Sequence, residues 1–262
     1  MNAFDDVGPG RAGHETSLDV DAVRAFIAER DPHGALPPCH IRSVNIGDDV
    51  LGGVADHARA LAPDGTRCVL LVDPVRISRD GCDIKDVVES ALRRHFHVER
   101  VVLDDGTPTL HASDEMLDAA TAAVRGAAVV VALGGGTVTD IGKWACSRDG
   151  LIPLVVVQTA ASVDGFTDDV SVVLRSGVKR TLPSRWPDVI VSDVTTIAQA
   201  PAAMNRAGYG EMVSMFVAPL DWFLSGRLGL DPTFHDGAVQ LLATARAGVE
   251  QWSPGIDRKS VV

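Results

Sequence analysis

Two polar segments contain most of the residue types that could do chemistry, and each follows an apolar run typical of a buried strand. The first, "GGGTVTDIGK" at 134–143, starts with three glycines and continues as a helical pattern with Asp140 and Lys143 on one face. A glycine turn exposes backbone N–H groups, and the following helix N-terminus adds partial positive charge. This combination suits a pyrophosphate and predicts a site at Gly134, Gly135 and Gly136. A tight structural turn is the alternative, since the spacing is not G-x-G-x-x-G.

The second segment, "QTAASVDGFTDD" at 158–169, concentrates hydroxyls and carboxylates after another apolar run. Ligands of open parallel sheets bind at the carboxyl ends of strands, and this loop follows another such strand end, where chemistry tends to be located. An ordinary polar loop with an Asp-Gly turn is the alternative for this segment. A solvated ion pair is the alternative for Asp140 and Lys143. The polar residues of the loop are Thr159, Ser162, Asp164, Thr167, Asp168 and Asp169.

Alternating strand and helix patterns run from "HIRSVNIG" to "WPDVIVSD", which predicts right-handed βαβ units and a mostly parallel sheet. Ser113 and Gly126 fit the N-cap and the residue after the C-cap of one of these helices. After about Thr196 only helical patterns follow, and Pro219 is expected to kink or split the first of them. We therefore predict a polar, partly disordered leader at 1–35, a nucleotide-binding α/β domain at 36–196 and an all-helical domain at 197–262.

The composition excludes several classes of protein. With 46% hydrophobic residues in 262, the chain can bury a core, and a net charge of −11 argues against general affinity for nucleic acid or anionic membrane. No apolar run approaches the ~18 residues that a bilayer span requires. The four cysteines lack C-x-x-C spacing, which excludes a zinc knuckle and fits a cytoplasmic protein with reduced thiols.

Several motifs in order and spacing resemble one family: "GGGTVTDIGKWAC", "QTAASVDGFTDD", "SGVKR", "WPDVIVSD" and "AGYGEMVSMFVAPLDW". From about His40 onward the chain is similar to the glycerol-1-phosphate dehydrogenase branch of the iron-containing alcohol dehydrogenase and dehydroquinate synthase superfamily. The resemblance implies a nicotinamide-binding α/β domain, a helical domain, and a cleft between them that holds a divalent metal, usually zinc. It implies NAD(P)H-dependent reduction of dihydroxyacetone phosphate, or of a similar polyol or ketone substrate, or the reverse reaction.

The resemblance also implies roles for individual residues. The three glycines would bind the pyrophosphate, with Thr137 and Asp140 beside them, while Asp73 would face the adenosine ribose. A carboxylate there would repel the 2′-phosphate of NADP, but the cofactor stays open as NAD or NADP. Thr159 and Ser162 would contact the dinucleotide, and Asp164 would lie near nicotinamide and substrate as a catalytic residue. Lys143 belongs to the same cleft, with a catalytic role. Glu211 would ligate the metal. A substrate phosphate requires a cation, for which Lys179 or Arg180 are candidates.

The chain departs from the family pattern at three places. Gln158 replaces a usual proline, and Glu211 replaces an aspartate ligand. The family's two histidine ligands have no match before the sequence ends at "SPGIDRKSVV", and His235 is expected to be a surface residue. The helical domain is therefore expected to be C-terminally truncated, to expose apolar faces and to seek a partner, for example as a homo-oligomer. The chain is either a fragment of a dehydrogenase or a non-catalytic nucleotide-binding relative. A sugar-phosphate cyclase of the dehydroquinate synthase type is the remaining alternative.

Overall fold

The computed structural model describes residues 16–31, 33–34, 36–148 and 150–259. The first fifteen residues of the predicted leader and the last three of the chain therefore lie outside the described residues. The strands are β1 Thr16–Leu18, β2 Ser43–Gly47, β3 Arg67–Val72, β4 Ser78–Arg79, β5 Cys82–Asp83, β6 His97–Val102, β7 Val129–Gly134, β8 Leu154–Gln158, β9 Val170–Arg175, β10 Val178–Pro183 and β11 Val189–Asp193. The helices are α1 Val20–Arg30, α2 Val54–Leu61, α3 Ile84–Leu92, α4 Asp114–Val124, α5 Gly136–Arg148, α6 Val194–Ala198, α7 Ala202–Ser214, α8 Ala218–Arg227 and α9 Asp236–Lys259.

The central sheet has the strand order β1-β2-β11-β8-β7-β3-β6. All neighbours pair in parallel except β1, which pairs antiparallel with β2, and this confirms the predicted mostly parallel sheet. From β3 the chain moves outward to β6, then returns to β7 on the other side of β3. The direction of winding therefore reverses between β3 and β7, and such a point opens a crevice at the carboxyl ends of the strands.

The core lies on both faces of this sheet. Every residue of β7 is buried, with Val130 packed in the cluster on one face and Val131 in the cluster on the other. Helices α4 and α5 contribute Leu117 and Ile141 to the first cluster, while α2 and α3 contribute residues such as Val88 to the second. Continuous apolar strands are typical of a sheet covered by helices on both faces, so the strands hold their carboxyl ends in a rigid frame.

Local signals place the helix ends where the sequence predicts them. The Ser113 side chain accepts a hydrogen bond from the N–H of Met116, and Gly126 follows α4 with φ 73°, as expected for a residue after a C-cap. Pro219 lies in the first turn of α8, after α7 has ended, which confirms that the long helical pattern is split. A proline is tolerated there because its missing N–H has no intrahelical acceptor.

The structure differs from the predicted leader at residues 16–30, which form β1 and α1. Asp19 caps α1 by accepting from the N–H of Ala22, and Val20 is buried against the core. The sequence did not predict β1 because the strand has only three residues. It is stabilised by pairing with β2, which is distant in sequence. The hairpin of β9 and β10 is a second feature outside the predicted strand–helix alternation. Its two-residue turn at Ser176 and Gly177 has positive φ at both positions, the geometry that suits a tight hairpin.

The helices after β11 expose many apolar side chains, as predicted. Val217, Leu220, Leu228 and Leu230 are each at least 60% exposed. Among the described residues, no helix combines the length and the apolar character needed to cross a membrane.

Candidate nucleotide-binding cleft

A cleft of about 1060 Å³ opens at the carboxyl ends of β3 and β7, where the winding of the sheet reverses. Its walls come from the β3–β4 segment, the loop after β6, the start of α5, the loop after β8, and α7. The predicted site residues that line it are Asp73, Gly135, Gly136, Thr137, Asp140, Thr159, Ser162, Asp164, Lys179 and Glu211. The structure therefore brings together residues separated by more than a hundred positions in sequence.

The three glycines serve different purposes in the turn between β7 and α5. A Cβ on Gly134 would lie 2.7 Å from Val138 Cγ2, so this glycine is required for packing behind the cleft and does not line it. A Cβ on Gly136 would lie 2.7 Å from Val163 Cγ2, on the loop after β8. A Cβ on Gly135 would meet only Met204 Cε, at 3.8 Å. Gly135 therefore faces open space in the cleft.

The first turn of α5 points its backbone donors towards this space. The N–H of Thr139 donates to the Gly135 carbonyl oxygen at 3.1 Å and closes the first helical turn. The N–H groups of Gly136, Thr137 and Val138 precede that bond, so they have no acceptor within the helix. Together with the helix dipole, they make the end of α5 suitable for an anion such as a pyrophosphate.

Asp140, Lys143 and Asp168 form a charge cluster around a buried lysine, and not the solvated pair that the sequence allowed. The Lys143 side chain is fully buried; its Nζ lies 2.5 Å from Asp168 Oδ1 and 3.3 Å from Asp140 Oδ1, and it donates to the Gly165 carbonyl oxygen at 2.6 Å. Both carboxylates line the cleft, and Lys143 lies behind them. Lys143 thus joins α5 to the loop after β8, and its predicted catalytic role stays a prediction.

The carboxyl groups of this cluster hold protons more tightly than exposed ones. Burial raises the pKa of Asp140 to about 6, although the nearby Lys143 ammonium opposes that change. Burial also raises the pKa of Asp168, again against Lys143. One buried ammonium is shared by two half-buried carboxyl groups, and with a pKa of about 6 Asp140 titrates close to neutral pH, a common property of functional sites.

The loop after β8 places its predicted residues at different depths. Thr159 is buried, Ser162 is half-buried and Asp164 is exposed at the mouth of the cleft. The side chain of Gln158, which replaces the family's proline, accepts from Ser192 Oγ at 2.7 Å and donates to the Ala160 carbonyl oxygen at 3.2 Å. The departure from the family pattern is therefore accommodated by side-chain hydrogen bonds at the start of the loop.

Asp73 has a buried partner that the sequence analysis missed. Its Oδ1 accepts from Lys85 Nζ at 2.6 Å and from the N–H of Val75 at 3.0 Å, and its carbonyl oxygen also accepts from Lys85 at 2.6 Å. Lys85 lies on the apolar face of α3 with Val88 and is 1% exposed. A lysine on an apolar helix face was the signal that could have identified it. Among the described residues, Asp73 Oδ2 has no hydrogen-bond partner, and the Lys85 ammonium lies against the carboxylate.

The cleft as a whole is acidic. Within the described residues, seven carboxylates line it, against the basic side chains of Arg76, Lys179 and His111. Lys179 lies on β10 and is exposed, while Arg180 does not line the cleft. Hydrogen bonds from Thr107 and His111 hold the pKa of Asp105 well below its usual range. Among the described residues that line the cleft, Arg76 and Lys179 are the two side chains with a fixed positive charge.

Glu211 lies on α7 at the wall of the cleft, where the resemblance implies a metal ligand. A zinc site takes at least three protein ligands. In the part of the chain that the structure describes, no three His, Cys, Asp or Glu side chains are grouped to hold a metal ion. His235, expected at the surface, lies with Nε2 3.3 Å from Asp31 Oδ1 and is 21% exposed. The described residues therefore do not by themselves form a zinc site, and the metal stays a prediction.

Comparison with known sequences gives one consistent family. Residues 46–201 match the family model described as iron-containing alcohol dehydrogenase. A glycerol-1-phosphate dehydrogenase [NAD(P)+] of Bacillus velezensis is 36% identical over 110 residues, which are 42% of this chain and 28% of that protein. One from Methanothermobacter thermautotrophicus is 28% identical over 207 residues, 78% of this chain and 56% of that protein. The matches thus span from about a quarter to just over half of these relatives.

Solved structures share the fold. Glycerol dehydrogenase from Schizosaccharomyces pombe superposes with a TM-score of 0.57 at 22% identity, covering 69% of this chain and 44% of that one. Maleylacetate reductase from Agrobacterium tumefaciens gives 0.55 at 21% identity, covering 81% of this chain and 63% of that one. The family model covers more than half of the sequence, from β2 to the residue before α7, and includes the glycine turn and the loop after β8. The chain belongs to the iron-containing alcohol dehydrogenase family.

Proposed function

We propose that the protein is an NAD(P)H-dependent oxidoreductase that reduces the ketone of dihydroxyacetone phosphate, or of a similar small polyol or ketone, and that also runs in reverse. The observation that supports this most is the cleft at the reversal of the sheet, where an open Gly135 and the start of α5 meet the Asp164 loop. Related proteins named glycerol-1-phosphate dehydrogenase [NAD(P)+] support the substrate assignment.

The dinucleotide half of the site fits this proposal. Backbone N–H groups of Gly136 and Thr137 would bind the pyrophosphate, and the absence of a side chain on Gly135 leaves room for it. Asp73 would accept from a ribose hydroxyl through its free Oδ2. Thr159 and Ser162 would contact the nicotinamide half from the facing loop.

The proposal extends to both forms of the cofactor. A lone carboxylate at the ribose repels the 2′-phosphate of NADP, but Lys85 compensates the charge of Asp73 at 2.6 Å. Arg76 also lines the cleft, three residues after Asp73, and its guanidinium could bind a 2′-phosphate. We therefore expect NADPH to bind with an affinity similar to that of NADH, where Asp73 alone would favour NADH.

The substrate half of the site would orient the ketone and supply a proton. A nicotinamide held in this cleft would supply the hydride for the reduction. Asp164 would accept from a substrate hydroxyl, and Lys179 would bind the phosphate. The Asp140 carboxyl faces the cleft with a pKa of about 6, which suits it to protonate the alkoxide oxygen. Lys143 would keep Asp140 and Asp168 in place from behind.

The test separates binding from turnover. Purified protein is titrated with NADH and NADPH while nicotinamide fluorescence is followed. NADH oxidation is then measured with dihydroxyacetone phosphate, with unphosphorylated dihydroxyacetone as the matched control, and with and without added zinc. Oxidation equal to the glycerol phosphate formed supports the proposal. Binding with no oxidation under any condition contradicts it and supports the non-catalytic relative. In a separate reaction with a sugar phosphate, turnover without net NADH consumption would support the cyclase.

A further inference from the structure

The loop after β8 lies between the glycine turn on one side and α7 on the other. Towards the glycine turn, Val163 packs over Gly136, where a Cβ would come within 2.7 Å of Val163 Cγ2. Towards α7, a Cβ on Gly208 would lie 1.7 Å from the Ala161 carbonyl oxygen and 2.7 Å from its carbonyl carbon. The backbone of α7 and that of the loop therefore approach each other more closely than any side chain at Gly208 would permit.

A hydrogen-bonded side chain fixes the same contact. The N–H of Ala161 donates to Asn205 Oδ1 at 3.2 Å, and Asn205 Nδ2 donates to the Ile197 carbonyl oxygen at 2.8 Å. Asn205 and Gly208 are three residues apart on α7, so they lie on one face of the helix. That face binds the loop next to Ser162, and the same helix carries Met204 and Glu211 to the cleft wall.

We infer that α7 sets the position of the loop that would hold the nicotinamide half of the cofactor, with Asn205 and Gly208 as its positioning residues. Contact at Gly136 places the loop against the pyrophosphate turn, and contact at Gly208 places it against α7. The position of α7 and the binding of a dinucleotide at the turn would therefore be coupled through the loop. Loss of the contact between α7 and the loop would lower the affinity for the dinucleotide. The inference rests on the proposed function for the identity of the ligand, but not for the loop contact itself.

Two glycines of α7 supply a matched pair of variants. Gly208→Ala would place a methyl group against the Ala161 carbonyl, whereas Gly210→Ala on the same helix meets nothing within 4 Å. Both changes raise helix propensity, so an effect confined to Gly208→Ala reports the loop contact. Asn205→Ala is paired in the same way with Arg206→Ala, whose exposed side chain forms no hydrogen bond or ion pair within the described residues.

The first measurement is hydrogen exchange at the amide of Ala161, which requires no ligand. We expect exchange to be at least about tenfold faster in Asn205→Ala and Gly208→Ala, and unchanged in Gly210→Ala and Arg206→Ala. Asn205→Asp keeps an acceptor for the Ala161 amide and should restore part of the protection. Exchange at wild-type rates in Asn205→Ala and Gly208→Ala would overturn the inference, whether or not NADH binds.

The second measurement is the Kd for NADH in the same variants. We expect Asn205→Ala and Gly208→Ala to raise it at least about fivefold, with both controls at the wild-type value. A wild-type Kd in variants that have lost Ala161 protection would overturn the link between the loop position and binding. A wild-type protein that binds no NADH would instead refute the proposed function, and the exchange measurement would then decide the loop contact alone.

Discussion

Replacing Asp140 with asparagine is expected to stabilise the protein above pH 7, because the wild-type carboxylate is ionised there in a site that disfavours its charge. The side chain is 15% exposed, and burial raises its pKa from 3.8 to about 6 even with the Lys143 ammonium 3.3 Å away. At about 1.4 kcal/mol for each pKa unit, this change corresponds to roughly 3 kcal/mol. The pKa already includes the attraction to Lys143, so this is the net cost of ionising Asp140 in the folded protein.

The sign of the pH dependence follows from the raised pKa. Between about pH 4 and pH 6 the folded protein binds the Asp140 proton while the unfolded chain releases it, so this group's contribution to stability falls as the pH rises. Asparagine has no proton to lose. The advantage of Asp140→Asn should therefore be small near pH 4, grow through pH 6, and reach up to roughly 3 kcal/mol by about pH 8.

Urea unfolding of both proteins at about pH 4 and about pH 8 measures this difference. Asp118→Asn, an identical substitution at an exposed position of α4, is the matched control. The same Asp140→Asn protein should lose NADH oxidation, because it would lack the proton that Asp140 supplies. If Asp140→Asn is less stable than wild type at pH 8, the carboxylate is stabilised by its surroundings and the reasoning about the cluster is wrong.

The remaining predictions concern the same cleft. Lys143→Met removes the ammonium that Asp140 and Asp168 share. In urea unfolding it should lower the free energy of unfolding by ~3–5 kcal/mol at pH 8, and by less at pH 4, where the carboxyl groups are protonated. Equal losses at both pH values would contradict this. Gly135→Val should leave the Tm unchanged, since its Cβ has space, and weaken NADH binding at least about tenfold in a fluorescence titration; an unchanged Kd would refute the pyrophosphate site there. Asp164→Asn should lower kcat for dihydroxyacetone phosphate by about 10²-fold with little effect on NADH binding; unchanged kinetics would remove Asp164 from the site.

The sequence predicted the parts of the fold that depend on local patterns. The apolar strands, the cap at Ser113 and the split at Pro219 are each encoded within a few residues, and all are present in the structure. The glycine turn and the polar loop were also placed at the carboxyl ends of strands. The structure shows that these two strands, β7 and β8, are neighbours. Periodicity and strand direction were sufficient for these features.

The rest depends on contacts between distant segments. β1 is stabilised by pairing with β2, some thirty residues away, so its own three residues read as part of a leader. The burial of Lys143 depends on Asp168 and Gly165, which reach it from the loop after β8. The bond between Ala161 and Asn205 joins two segments 44 residues apart. A single sequence contains no pattern for such contacts, because neither partner is unusual in its own surroundings.

The junction between β7 and α5 is one residue long, because β7 ends at Gly134 and α5 begins at Gly136. An inserted residue there would rotate the helix by about 100° and shift it by about 1.5 Å along its axis. The face that now buries Ile141 and Lys143 would turn away from the sheet and from Asp168, and the helix N-terminus would leave the cleft. At this junction, substitutions alter only one contact at a time, whereas a change in length would disrupt the core, the charge cluster and the anion site together.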